Sequence, residues 1–292
     1  MASQVTGGGT FIYEEEWAES LQMQLDEPSV WKEICDVEYT NSYIINNPYH
    51  TDTAVQTLTR GSPYAYNVVA QTNQTLTINV DRVVPEFIPR QTLAQSTYAS
   101  VAKLATRQGV QLDEAIETYI YQQYSAAGFT AFTNATIGGS AGSITASATN
   151  VDDVMKSLIR EIQEANGQKL LERNGAFIVW KPSQFQHLVS FAQANGYNLA
   201  DAWLKDGGGA AKGVYYSGIW HYTSNLLPSG RIVGGIKKAI SVGVLSDTYG
   251  QIMVDEKDPE LRSGVGVVST ASIGVQVWNN FRPVVFDIAI VD

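Results

Sequence analysis

Acidic side chains occur in dense sets at three places, Glu14-Glu15-Glu16, Asp152-Asp153 and Asp255-Glu256. Paired carboxylates are what glycan hydrolysis requires, one as acid and the other as base or nucleophile. Each set also has a plainer role: a solvated helix face, the N-terminal charges of a helix, and an exposed connector. The histidines His50, His187 and His221 stand apart, with no second His or Cys at metal-ligand spacing. His187 lies beside the apolar face of a short predicted helix. Serines occur without the Gly-x-Ser-x-Gly elbow of a nucleophilic hydrolase. The stretch "GGGAAKG", 207 to 213, has the glycines of a phosphate loop, but Lys212 is followed by Gly213-Val214 and not by Ser or Thr entering a helix. No glycine fingerprint for a dinucleotide follows a strand. The sequence therefore reads as no enzyme, with no catalytic residue, no cofactor and no metal site.

Composition narrows the classes further. The chain has 292 residues, enough for one large domain or two ordinary ones. Charged residues make up 16%, against about 25% in a typical soluble protein, while apolar residues are at an ordinary 44%. Much of the surface is thus expected to face protein and not water. The formal net charge of −10 argues against specific DNA binding, since the densest basic cluster is Lys237-Lys238. The 15 Tyr and 6 Trp are spread along the chain, which fits core or interface use better than a sugar platform. Cys35 is the single cysteine and reads as a buried small hydrophobe. No apolar run approaches the roughly 18 residues of a membrane span, and no leader pattern opens the chain, so synthesis in the cytosol is expected.

The elements that would position these residues begin with a polar arm at 1 to 34, holding a short helical pattern around Trp17, Leu21 and Leu25. From Glu38 to Gln74 there are three formally charged side chains, Glu38, Asp52 and Arg60. Two arms, 35 to 58 and 64 to 84, flank the turn signal "TRGSP", which predicts a hairpin. Arms of that length would reach on the order of 65 Å if straight, with a bend at Asn46-Asn47-Pro48. A two-stranded ribbon is only marginally stable in water, so it needs a surface to lie on. "TLTINVDRVVPEFIP", 75 to 89, reads as a strand with Leu76, Ile78 and Val80 on one face.

Apolar residues at helical spacing (Leu93, Val101, Leu104, Ala105, Leu112, Ile116, Tyr119, Ile120) predict a long helix over 92 to 125, roughly 50 Å, or two in line broken near Gly109. One or two weak strands follow in the small-residue stretch 128 to 150. The spacing of Val151, Val154, Met155, Leu158, Ile159 and Ile162 predicts a helix with Asn150 as N-cap. Then come a buried strand in "GAFIVW", a helix after Pro182 with Phe185, Leu188, Val189 and Ala192 inward, and a glycine-rich loop at 205 to 213. Strands follow at "GIWHYTSNLL", "RIVGGI" and "AISVGVL", then an acidic connector "VDEKDPELRSG". The chain closes on alternating strands carrying Ile273, Val275, Val277 and Val284, Phe286, Ile288, Ile290.

This order, with "DDVMKSLIREIQ", "GAFIVWKPSQFQHLVSF", "GIWHYTSNLLPSGRIVGGI" and "VWNNFRPVVFDIAIVD", resembles the major capsid proteins of tailed double-stranded DNA bacteriophages, the Hong Kong 97 type coat fold. The resemblance implies an α+β fold with an N-terminal arm (1 to 34), an extended β-hairpin loop (35 to 88), a peripheral domain with a long spine helix and antiparallel strands (89 to 150 and 255 to 292), and an α+β axial domain (151 to 254). It implies a structural coat protein that self-assembles as hexamers and pentamers into an icosahedral shell enclosing the phage genome, without specific DNA binding or membrane contact. The loop would lie on an adjacent subunit, with Arg60, Tyr64 and Tyr66 as candidate assembly contacts. Some relatives weld subunits through a loop lysine; none occurs here between Lys32 and Lys103, so noncovalent contacts are expected to hold the shell. A separately encoded scaffolding protein and a portal are the expected partners, with assembly in the host cytoplasm. Two alternatives stand beside this reading: an encapsulin-like shell around protein cargo, and a glycan-binding or glycan-hydrolysing protein.

Overall fold

A computed structural model of the chain describes residues 29–50, 55–57, 60, 61, 66, 68, 71–89, 101–124, 126–195, 213–248, 251–255 and 264–291. The helical pattern around Trp17, the hairpin residue Tyr64 and the glycine-rich loop up to Lys212 lie outside these residues.

Two sheets organise the molecule. The first has five strands: β1 (Cys35–Thr40), β4 (Val80–Pro89), β11 (Ile240–Leu245), β12 (Gln251–Asp255) and the long β13 (Gly264–Val277). β13 is its spine, pairing antiparallel with β4 from Gly264↔Pro89 to Ile273↔Val80, and with β11 and β12 at successive positions. β1 joins parallel to β11. The second sheet contains β5 (Thr130–Phe132), β6 (Ile144–Thr145), β7 (Ala176–Trp180), β8 (Val214–Tyr216), β9 (Ile219–Thr223), β10 (Arg231–Ile236) and β14 (Val285–Val291). Apart from both, β2 (Ile44–His50) and β3 (Gln71–Thr77) pair only with each other.

Helices cover these sheets where their stripes demand it. α1 (Trp31–Ile34) is a single turn leading into β1. α2 (Val101–Gln122) is about 33 Å long and runs unbroken through Gly109. A helical glycine costs about 1 kcal/mol against alanine, and the fully buried row Leu112, Ile116 and Ile120 outweighs it. This helix lies on the first sheet: Gln108 donates from Nε2 to the Val267 carbonyl at 3.1 Å, and Arg82 sits 5.6 Å from the Tyr119 ring.

α3 (Val151–Glu164) turns Val151, Val154, Met155, Leu158 and Ile162 inward, with Asp152 and Asp153 in its first turn. Asn150 is not its side-chain cap. That amide accepts from the Ser147 N–H at 2.9 Å and donates to the Thr145 carbonyl at 2.6 Å, fixing the loop ahead of the helix. Immediately after it comes α4 (Gln168–Asn174), which sequence periodicity did not signal. α5 (Pro182–Ala194) has Pro182 in its first turn, where a missing N–H costs nothing. Phe185, Leu188, Val189 and Ala192 are all buried, as the spacing required.

The sheets exchange strands across the segment boundaries read from the sequence. β11, from within 151 to 254, lies in the five-stranded sheet, whereas β14, from within 255 to 292, lies in the other. The connector read as "VDEKDPELRSG" is strand as far as Asp255. One contiguous apolar core spans both sheets, joining Ile116 and Ile120 to Phe177, Ile232 and Ile288. A second, separate cluster holds Leu76, Ile78 and Leu245 with Ile45 and Trp278.

Candidate assembly site: the ribbon and its root

The chain leaves the first sheet after Thr40, bends at 41–43, runs out along β2, returns along β3, and rejoins the sheet at Val80. The ribbon pairs in register from Ile44↔Thr77 to His50↔Gln71. It is therefore shorter than the segment 35 to 88, because β1 and β4 at the two ends of that segment belong to the sheet. "TLTINV" is likewise not one strand: the pairing breaks at Ile78 and Asn79, where the chain passes from ribbon to sheet.

Beyond the paired strands the described residues are solvent-exposed. Val55 is 99% exposed, Val68 92% and Tyr66 86%. Arg60 and Gly61 form an exposed turn, with Gly61 at φ 90°. Of the three candidate contacts, Arg60 and Tyr66 thus lie in this exposed tip region, and Tyr64 falls outside the described residues. Fully exposed valines at a ribbon tip forgo the transfer free energy of burial, about 1.5–3 kcal/mol per side chain.

The root is different. Leu76 and Ile78 are buried, and they meet Leu245, Ile45 and Trp278. Gly243 on β11 and Gly274 on β13 are register partners, so their missing side chains leave a flat notch on the sheet. A Cβ on Gly274 would lie 2.2 Å from the Thr77 carbonyl oxygen, and one on Gly243 would lie 2.7 Å from Leu76 Cδ2. Glycine inside a strand commonly marks such a close approach. Polar contacts complete the joint: Gln74 donates to Asn279 Oδ1 at 3.2 Å and accepts from the Asn279 N–H at 2.8 Å, and Asn279 Nδ2 donates to the Tyr49 hydroxyl at 3.3 Å. Thus the ribbon borrows part of its footing from its own body. Sequence reading placed Leu76 and Ile78 on one face but missed Gly243, Gly274 and Asn279; the two in-strand glycines were the available signal.

A buried polar hub holds the chain just ahead of β1. Glu117 on α2 is fully buried and accepts the Val30 N–H at 2.7 Å, the Tyr121 hydroxyl at 2.9 Å and the Ser224 hydroxyl at 3.0 Å, with the Trp31 N–H also directed to it. Burial pushes its carboxyl above the usual range, and the four donors oppose that shift. It thereby ties the start of α1, the long helix and the turn after β9 together. Cys35 is buried as expected, and burial, with Glu117 nearby, drives its thiol far up.

The residues that could have done chemistry are placed otherwise. Asp152 is ion-paired with Lys156 one turn along α3, Asp255 ends β12, and Glu14 to Glu16 and Glu256 lie outside the described residues. His221 is buried, with Nδ1 accepting from Trp180 Nε1 at 2.9 Å, so Nε2 carries the proton and donates to the Tyr216 carbonyl at 3.2 Å. Lys237 is folded onto aromatics, donating to the Tyr222 hydroxyl at 2.6 Å with its ammonium 4.3 Å from the Trp220 ring. A shallow groove of about 630 Å³ beside them is lined by Arg173, Asn174, Gly175, Tyr215 and Trp220, and its one lining carboxylate is Glu172. No cluster of three or more metal-ligating side chains occurs among the described residues, and no described helix is long and apolar enough to cross a membrane.

The arrangement is a two-sheet body with one covered root and one projecting ribbon. No protein-family model and no curated protein sequence matches the chain. Solved structures do. A chain from Mycobacterium phage Che8 is 16% identical with a TM-score of 0.68, covering 96% of this chain and 98% of that one. The capsid of Ralstonia phage GP4 gives 11% identity and a TM-score of 0.65, with 100% and 99% covered. A virus-like particle from Pyrococcus furiosus gives 13% identity and a TM-score of 0.55, with 90% and 92% covered. The chain has the α+β fold of these phage capsid structures, as the sequence resemblance implied.

Proposed function

We propose that this chain is the structural coat protein of a tailed phage, which assembles with copies of itself into an icosahedral shell around the genome. The observation that carries this reading is the fold likeness to phage capsid chains over nearly the whole length, in a chain whose ribbon tip holds exposed Val55, Tyr66 and Val68. In the shell the tip lies on an adjacent copy, where Arg60, Tyr64 and Tyr66 make contacts within hexamers and pentamers. The five-stranded sheet with α2 forms the peripheral part and the seven-stranded sheet with α3 and α5 the axial part. Scaffolding and portal proteins act during assembly in the host cytoplasm, and the negative net charge keeps the wall from gripping DNA. A shell around protein cargo is the second reading, with less support than the capsids of phages GP4 and PhiM1 lend the first.

Deletion of residues 57 to 68 tests the assignment. Sedimentation velocity and circular dichroism should show a folded subunit that no longer enters particles. Normal particles from the deletion would remove the ribbon from the assembly mechanism.

A further inference from the structure

The ribbon root is built as a joint distinct from the fold it serves. Its apolar cluster, Leu76, Ile78, Leu245, Ile45 and Trp278, is separate from the main core, so opening it uncovers none of that core. Both crossings into the ribbon are irregular, at 41–43 and at 78–79, and they are tied to each other by the Ile78 N–H on the Tyr43 carbonyl at 2.8 Å. At the first crossing the backbone is held by side chains: the Thr40 hydroxyl accepts the Ser42 N–H at 3.1 Å, and the Ser42 hydroxyl donates to the Ile44 carbonyl at 3.2 Å. A two-stranded element thus meets the body through one small seat and two bends.

The geometry points to a posture-setting device: the Gly243–Gly274 notch and the Gln74–Asn279–Tyr49 bonds hold the ribbon at one elevation over its own sheet, and releasing them loosens its two strands, which are only marginally stable unaided, while the body stays folded. The two glycines do unequal work. At Gly274 an added Cβ meets backbone, with the Thr77 oxygen at 2.2 Å, the Thr77 carbon at 2.9 Å and Ile78 Cα at 3.0 Å. Backbone there must shift for the Cβ to fit, which disturbs the seat itself. At Gly243 the Cβ meets the tips of Leu76, Ile45 and Ile78, which can turn aside. Asn279 lies just after β13, where its N–H and both side-chain polar atoms face β2 and β3. Its position therefore fixes the direction as well as the height of the ribbon. Posture matters because, on the coat-protein reading on which this inference rests, it decides where the exposed tip reaches a neighbouring copy.

Hydrogen exchange followed by mass spectrometry, on the unassembled full-length subunit, tests the joint without requiring shells. Gly274→Ala should speed exchange of the amides in 44–50 and 71–77 by about tenfold or more while β7 and β10 keep wild-type protection. Asn279→Ala should give a smaller increase, and Gly243→Ala the smallest. Where Gly274→Ala fails to fold, Leu76→Ala combined with Asn279→Ala opens the same seat without altering the sheet backbone and must give the same local loosening. Ribbon amides that exchange within about twofold of wild type in a folded variant would overturn the joint. Shell yield is read in parallel. Wild-type chain that never forms shells even with a scaffolding protein supplied, with the exchange pattern as expected, removes the coat-protein reading and leaves the joint standing.

Discussion

Acidification should weaken the subunit through His221, and the size of the effect can be worked from its surroundings. The imidazole is buried among β7 and β9, and burial pushes its pKa down to about 4 from the ordinary 6.5. Protonation would also place an N–H on Nδ1 against the Trp180 N–H that it now accepts. A lowered folded pKa means the unfolded chain binds the proton first, so stability is fully present above the unfolded value and is lost as pH falls through the folded one. With 1.36 kcal/mol per unit, this single group removes about 2 kcal/mol between pH 7 and 5 and about 3 kcal/mol by pH 4. Glu117 and Asp287 shift the other way, their carboxyls being raised by burial, so a comparison is needed that isolates the histidine. Urea denaturation of the unassembled subunit at pH 7 and 5 provides it, run on wild type and on His221→Gln. The variant starts less stable but should lose about 2 kcal/mol less on acidification. Equal losses in the two proteins would refute a neutral, buried His221.

Three further outcomes are expected. Glu117→Gln keeps the shape of the hub but sets an amide N–H₂ against converging donors, and should cost about 1–3 kcal/mol in the same titration, with exchange at Val30 and Trp31 accelerated. The Cys35 thiol, buried and pushed to high pKa, should react with an aromatic disulfide reagent only at the rate of unfolding; fast labelling of native subunit would show the strand β1 to be open. Asp152→Asn together with Asp153→Asn should leave shell formation unchanged, and a glycan-cleaving activity present in wild type but lost in that variant would restore the hydrolase alternative.

Elements whose signal is local were legible. The stripe of α3, the Pro182 start of α5 and the buried run of β7 each follow from residues a few positions apart, and each lies where that spacing puts it. Features that depend on a distant partner were not. β1 pairs with β11 some two hundred residues away, and nothing in "CDVEYT" names that partner. The sheet that each of β11 and β14 joins is likewise set by distant partners. Gly109 looked like a break because its local cost is visible, while the buried row that overrides it is set by β13 and β4 across the helix. At the ribbon, turn chemistry and low charge marked the excursion, and the seat went unread since a notch exists only once Gly243 and Gly274 are side by side.

Electron microscopy of the purified chain, with a scaffolding protein supplied where needed, bears most directly on the coat-protein reading. Closed or aberrant shells of hexamers and pentamers, with residues 55 to 68 of each copy seated on a neighbour, are the expected result. A chain that stays monomeric at every concentration, or shells in which that segment folds back on its own subunit, would contradict it.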